Sequence, residues 1–312
     1  MKKRFSLSFL ALLLVFGSCQ NKDLCFDHIG VDPNAPQVDI DIHWDGIPNP
    51  PVSHGMRINL FSLDGNKAYG LDDVPHTGTT VALGCNTIHR TMAYSYTGNN
   101  IYFRQQLNCD LIEAYCSTQT RTTYTRAYPD ETTYAEPSGT FFVGTHPSYT
   151  VLDTRERQVI DIYPQDKLVT YTFEVRKVRG AQNITATRGA IAGMSSSYYI
   201  GLDKLAETPS TILFNAGVDV EGQRITGSFK TFGRLETTNN FSIEILFPSK
   251  TSGILLRTWD VTWQISGVNA DNYHIIVDLD YDIPGGGDED GEDTGNWEVD
   301  VNDWENINVP LK

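Results

Sequence analysis

The chain has 312 residues, 40% apolar and 20% charged, with 24 Lys+Arg against 39 Asp+Glu and a formal net charge of −15. That length suits about two domains with their own cores, and the composition is that of a folded chain, not a disordered one. The acidic excess argues against a nucleic-acid binder, which needs clustered Lys and Arg for the phosphates, and against a polybasic membrane-surface mode.

Met1-Lys2-Lys3-Arg4 is a basic start, and residues 7–16 are an apolar run too short to span a bilayer as a stable helix. Phe16-Gly17-Ser18-Cys19 then sets small residues directly before a cysteine. The order basic, apolar, small, Cys resembles a bacterial lipobox, with Phe16 where Leu is usual. The plainer alternative is an ordinary signal peptide with an incidental Cys. On the lipobox reading, residues 1–18 are the signal peptide and Cys19 is the lipidated N-terminus. Removing residues 1–18 takes three basic residues away and leaves 294 residues with a net charge of −18. Lipid at Cys19 would hold the chain on a membrane, and no later run is long and apolar enough to span one. Four cysteines follow: Cys25, Cys85, Cys109 and Cys116. An exported compartment permits disulfides in any of three pairings, and buried thiols are the equal alternative. There is no CxxC, so neither a zinc site nor a thioredoxin-type site is indicated.

Residues 19–36 read as a tether. Val38, Ile40, Ile42 and Trp44 then alternate with Asp39, Asp41, His43 and Asp45, which predicts a strand with one buried face. Residues 46–55 break it with three prolines and two glycines. Met56, Ile58 and Leu60 open the next strand, and shorter strands are expected around 80–83 and 101–104. Residues 105–118 suggest a short helix with Leu111, Ile112 and Tyr115 on one side. Residues 119–138, rich in Thr, Tyr and Arg, read as a long surface loop. Strands at 141–143 and 158–163 close a first domain spanning 37–165.

The second domain, 166–284, alternates more cleanly. Val169, Tyr171, Phe173 and Val175 form one face. Residues 189–202 are small and polar and read as a loop or short strands. Further strands are expected at 211–214, 226–232, 241–247, 255–265 and 274–281. In the last two, Trp259, Val261, Trp263 and Ile265 alternate, as do Ile275, Val277, Leu279 and Tyr281. Many strands, frequent turns and almost no helical period predict an all-β chain of β-sandwiches.

A Pro-Gly break at 284–287 and the acidic run 288–293 introduce a tail, 285–312, which holds nine acids and one Lys. Its apolar sets are Trp297, Val299 and Val301, then Ile307, Val309 and Leu311, with Trp304 out of phase between them. That pattern predicts two short strand segments joined by a kink, able to pair away from their own domain. The tail's charge keeps an unpaired strand soluble.

Motifs for catalysis are missing: no HExxH, no GxSxG and no GxxxxGK[ST] occur, and the seven His are scattered. The expectation is a non-enzyme without a cofactor. Asp39, Asp41 and Asp45 read as a solvated face, and 288–293 as a solvated linker lacking the spacing of an EF-hand. Tyr124, Tyr128 and Tyr134 in the long loop are candidate sugar-stacking residues, against ordinary loop packing.

Several stretches together resemble one family. They are the lipobox; Leu24-Cys25-Phe26-Asp27-His28 in the tether; and the strand ending in Trp44-Asp45. The second half adds Gly227-Ser228-Phe229-Lys230-Thr231-Phe232-Gly233 and Trp259-Asp260-Val261-Thr262. The end adds Trp297-Glu298-Val299-Asp300-Val301 and Asp303-Trp304. They resemble the fimbrillin-like lipoproteins of Bacteroidetes, a group that includes the minor-fimbrillin anchor subunits of type V fimbriae. The resemblance implies two transthyretin-like sandwiches and assembly by strand exchange. Stalk subunits in such a scheme lose their first strand to an Arg-directed protease, and the groove left behind accepts the C-terminal strand of a neighbour. Here no Arg lies between Cys19 and Met56, and Lys22 is the sole Lys or Arg there. The first strand is therefore expected to stay tied to the lipid. Trp297, Val299, Val301, Trp304, Ile307 and Val309 are the expected donor-strand residues, and fimbrial subunits the expected partners. The chain would be an outer-membrane lipoprotein at the base of a filament. The alternative is a surface glycan-binding lipoprotein of a nutrient-uptake system.

Overall fold

A computed structural model describes residues 35–51, 55–63, 68–96, 100–120, 131–249, 253–267 and 272–285. The expected lipidation site Cys19, Cys25 in the tether, Tyr124, Tyr128 and the donor-strand residues of the tail lie outside the described residues.

The fold is all-β. The first half supplies β1 (Gln37–Ile42), β2 (Met56–Ser62), β3 (Ala68–Val74), β4 (Gly78–Ala82), β5 (Ile88–Ser95), β6 (Ile101–Arg104), β7 (Glu113–Cys116), β8 (Thr132–Ala135), β9 (Phe142–Thr150), β10 (Gln158–Ile162) and β11 (Gln165–Asp166). The second half supplies β12 (Val169–Arg179), β13 (Ala186–Ser195), β14 (Ser197–Tyr199), β15 (Lys204–Leu205), β16 (Pro209–Asn215), β17 (Gly217–Asp219), β18 (Arg224–Thr231), β19 (Asn240–Leu246), β20 (Ile254–Asp260) and β21 (Asn272–Asp282). A helical turn, α1 (Thr262–Ile265), precedes β21.

The two halves repeat one plan. In the first, the sheet β10-β1-β4 faces the sheet β11-β9-β5-β2-β3; in the second, β17-β18-β12-β21 faces β20-β19-β13-β16-β8. In each half the first strand lies inside its sheet and runs parallel to the last: β1 with β10, β12 with β21. The alternation of β1 and β12 follows from this. Val38, Ile40 and Ile42, and likewise Tyr171, Phe173 and Val175, point between the sheets, where all six are buried.

Two segments cross the 165/166 line. β8 pairs parallel with β16 of the second half, and β14 and β15 of the second half join β7 and β6 in the sheet β15-β14-β7-β6. A core at this junction accordingly mixes Met92, Tyr94, Ile101 and Phe141 with Leu168, Tyr198, Ile200 and Phe232.

Several expectations are corrected. Residues 105–118 are not helical: backbone bonds from Asn108 to Gln105 and from Leu111 to Asn108 make turns, and β7 follows. Leu111 is exposed while Ile112 is buried, so the supposed helical face does not exist. The loop 119–138 contains β8, whose hydrogen-bond partner lies about eighty residues on and leaves no local signal. The strand expected to reach Ile265 stops at Asp260. The Asp260 carboxylate accepts bonds from the Thr262 backbone N–H (2.9 Å) and hydroxyl (2.6 Å), which turns the chain into α1. Trp263 is thereby 76% exposed and does not continue the face of Trp259.

Residues 189–202 hold much of the central strand β13, whose small side chains have a packing cause. A Cβ on Gly189 would lie 2.0 Å from the Phe214 ring. Cys85, Cys109 and Cys116 are free thiols, with Cys116 buried and its thiol pushed up to about 12 by that burial.

Candidate functional site

The seat of β1 is the place where strand exchange would act. β1 pairs with β10 over Val38–Ile42 and with β4 over Gln37–Asp41, so both of its edges are used. Backbone bonds extend the grip beyond the strand, from Leu83 N–H to Pro36 (3.1 Å) and from His43 N–H to Ile162 (2.9 Å). β4 approaches closely because Gly78, at φ 108, has no Cβ; one placed there would lie 1.8 Å from the Ile40 carbonyl oxygen.

The outward face is held by charge. Arg157 donates to Asp39 (2.5 Å) and Asp41 (3.1 Å), and Thr80 donates to Asp39 (2.5 Å). The Thr80 hydroxyl and the Arg157 guanidinium hold the Asp39 carboxyl below its ordinary value. The expected acidic face is thus a cross-strand ion-pair network. Past the strand, Trp44 donates its indole N–H to the His76 carbonyl (2.7 Å) and meets Phe142 edge-on. His43 contacts Asp161 at 2.7 Å and stacks on Tyr163.

Arg57, the next arginine after Arg4, is built into β2. Its backbone pairs with Tyr94, its guanidinium binds Asp72 (Nη2–Oδ2 2.6 Å), and the same group lies over the Tyr96 ring at 5.0 Å. A protease must draw several residues of extended chain into its cleft, and a strand paired on both sides offers none. Arg57 is therefore sheltered in the folded chain.

In the second half, β21 is an edge strand. The Gln264 carboxamide from α1 pairs with its open side, donating to Ile276 O (3.0 Å) and accepting from Ile276 N–H (2.8 Å). Asp278 and Asp280 on β21 pair with Arg176 and Lys177 of β12. A charged and partly plugged edge resists accidental strand addition.

Of the three tyrosines singled out in the sequence, Tyr134 alone is described. It is half-buried on β8 against the second-half core. It also lines a cleft with Tyr102 of β6 and Tyr115 of β7. Sequence reading passed over these last two because β6 and β7 become neighbours only through the turns at 105–112. The one trace was the alternation Tyr102-Phe103-Arg104 against Glu113-Ala114-Tyr115.

Residues 18–215 match the model of a family described as a domain of unknown function, DUF5119. The chain belongs to the DUF5119 family. The fold of this DUF5119 protein is that of several solved structures. A candidate adhesin from Bacteroides ovatus superposes with a TM-score of 0.62 at 17% identity, over 79% of this chain and 93% of the other. The fimbrial anchor protein Mfa2 from Porphyromonas gingivalis gives 0.53 at 12% identity, over 78% and 90%. A candidate polysaccharide-binding protein from Bacteroides thetaiotaomicron gives 0.52 at 11% identity, over 77% and 90%. No curated protein is similar to the chain in sequence.

Proposed function

We propose that this DUF5119 protein is a lipid-anchored, non-enzymatic subunit at the base of a surface fimbria. It keeps its own first strand and donates its C-terminal strand to the next subunit. The fold shared with the fimbrial anchor protein Mfa2 and with candidate adhesins supports a fimbrial or adhesive role at the cell surface. The observation that carries the finer reading is the seat of β1. The strand is paired on both edges, the segment that follows it contains no Arg, and the first Arg available, Arg57, is locked in β2.

A subunit whose groove is permanently filled by its own strand accepts no neighbour, so growth ends there. The alternating tail, with Trp297, Val299 and Val301 and then Trp304, Ile307 and Val309, has the pattern to fill a neighbour's groove: backbone bonds supply affinity and alternate side chains enter pockets. Cys19 would tie the assembly to the outer membrane.

Deleting residues 285–312 tests the donor role. Expected is a folded body with unchanged unfolding behaviour that no longer captures the fimbrial subunit retained by the full chain. Undiminished capture by the shortened chain, or its failure to fold, would overturn the role given to the tail.

A further inference from the structure

The cleft at the junction of the two halves has the chemistry of a ligand site, separate from strand exchange. It lies on the outer face of the sheet β15-β14-β7-β6, whose inner face carries Ile101, Ala114, Cys116 and Tyr198 into the junction core. Its volume is about 380 Å³, inside the range of roughly 300–1,000 Å³ typical of small-molecule sites.

The lining sets three tyrosine rings among hydrogen-bonding side chains. Tyr102 and Tyr115 face each other across the β6·β7 ladder with ring centroids 5.9 Å apart and planes 38° apart. Tyr102 is 50% exposed. Arg104 is forked onto Glu113 by bonds of 2.5 and 2.7 Å, and its guanidinium lies over the Tyr115 ring at 4.9 Å. Glu113 is 6% exposed and also accepts a bond from the Ser197 hydroxyl. Burial pushes the Glu113 carboxyl up, but Arg104 and Ser197 outweigh it and hold the group ionised.

These contacts fix the rotamers of the polar pair before any ligand arrives. They leave unused donors on Arg104, whose side chain is 57% exposed. Tyr134 from β8 brings a third ring to the wall.

We infer that this cleft binds a neutral saccharide, with a pyranose ring face on Tyr102 and Tyr115 and its ring hydroxyls on the free donors of Arg104. The charges decide the class. One guanidinium and one carboxylate cancel within the lining, so neither a phosphate nor a uronic acid finds net compensation. The exposed ring of Tyr102, with the partly buried Tyr115 beside it, matches a ligand with one apolar face, and the adjoining donors and acceptors match hydroxyls at its rim. A purely apolar ligand would leave the Arg104–Glu113–Ser197 group desolvated without new partners. Both chain halves contribute residues, so the site exists only when the junction is assembled.

The test uses the full mature chain and a panel of neutral gluco-, manno- and galacto-oligosaccharides of three to six units, with uronic-acid oligosaccharides and an unstructured neutral peptide as comparators. Binding is read by titration calorimetry. Expected is saturable binding of at least one neutral oligosaccharide and none of the comparators. Tyr102→Ala and Arg104→Ala should each weaken it about tenfold or more, Tyr102→Phe less than threefold, and the distant Trp263→Ala not at all. Both alanine positions are half-exposed, and near-ultraviolet circular dichroism checks that the junction core is intact. Absence of binding by every neutral sugar, preference for the acidic sugars or the peptide, or binding indifferent to Tyr102→Ala would overturn the inference. Capture of fimbrial subunits is independent of all these outcomes, so failure here leaves the assembly role standing.

Discussion

β1 and β12 hold equivalent places in the two halves, each inside its sheet and parallel to the last strand. Their connections to the rest of the chain differ. β1 has six residues, inserts Val38, Ile40 and Ile42 into the core, and leaves through the exposed Pro-rich segment 46–51. β12 has eleven residues, inserts Tyr171, Phe173, Val175 and Val178, and turns sharply at Gly180. There φ is 73°, and a Cβ would lie 2.2 Å from the Ile283 carbonyl oxygen. The rings of Phe173, Phe214, Phe229 and Phe241 pack on one another around it. β12 is inseparable from its sandwich, whereas β1 is a strand on an accessible connection. Packing alone would let β1 be cut free, and on the proposed reading the missing Arg is what keeps it.

Putting an arginine into that connection should produce the largest change. Pro48 is exposed and is followed by Asn49, and Pro48→Arg treated with an Arg-directed protease should be cut before β2 and release the segment bearing β1 under mild denaturant. The opened half should then bind a synthetic strand peptide of the stalk type, while the uncut parent under the same treatment should not. Mass spectrometry and peptide binding read both outcomes. Next comes Phe173→Ala, expected to destabilise the second half by about 4 kcal/mol because it removes a ring from a closed aromatic cluster. Ile40→Ala in β1 should cost about 3 kcal/mol, confined to the first half. Denaturant unfolding followed by tryptophan fluorescence in two reporter backgrounds, one keeping Trp44 and the other Trp259 as its single tryptophan of the five, separates these two effects.

The smallest effect concerns the charged face of β1. Arg157 is 66% exposed, so Arg157→Ala should lower stability only slightly. The effect has a pH signature. Asp39 titrates below its ordinary value of 3.8 when folded, so its contribution is complete above that pH and is lost as pH falls through the lowered folded value. The gap between parent and variant should therefore be present at pH 7 and close in acid.

What the sequence revealed tracks which faces are buried. β1, β12 and β21 have one face inward and one in water, so alternation announced them. β5 is largely buried on both faces, including His89 and Thr91, and carries no alternation to read. β13 is concealed by the small residues its packing demands. α1 follows from one carboxylate, Asp260, catching Thr262, a local choice that apolar spacing does not encode. The proposed retention of β1 could be framed from the sequence because it depends on a residue type being missing from one segment. The saccharide cleft was not, because Tyr102, Tyr115 and Tyr134 come from three strands that meet only in the fold.

The most direct test concerns the N-terminus of the protein as cells make it. The chain is recovered from the membrane fraction of producing cells after exposure to an Arg-directed protease, and its N-terminal peptide is identified by mass spectrometry. The expected result is a lipid-bearing Cys19 peptide continuous with Val38–Ile42. A body that begins beyond Ile42, with β1 gone, would contradict a subunit that closes its own groove.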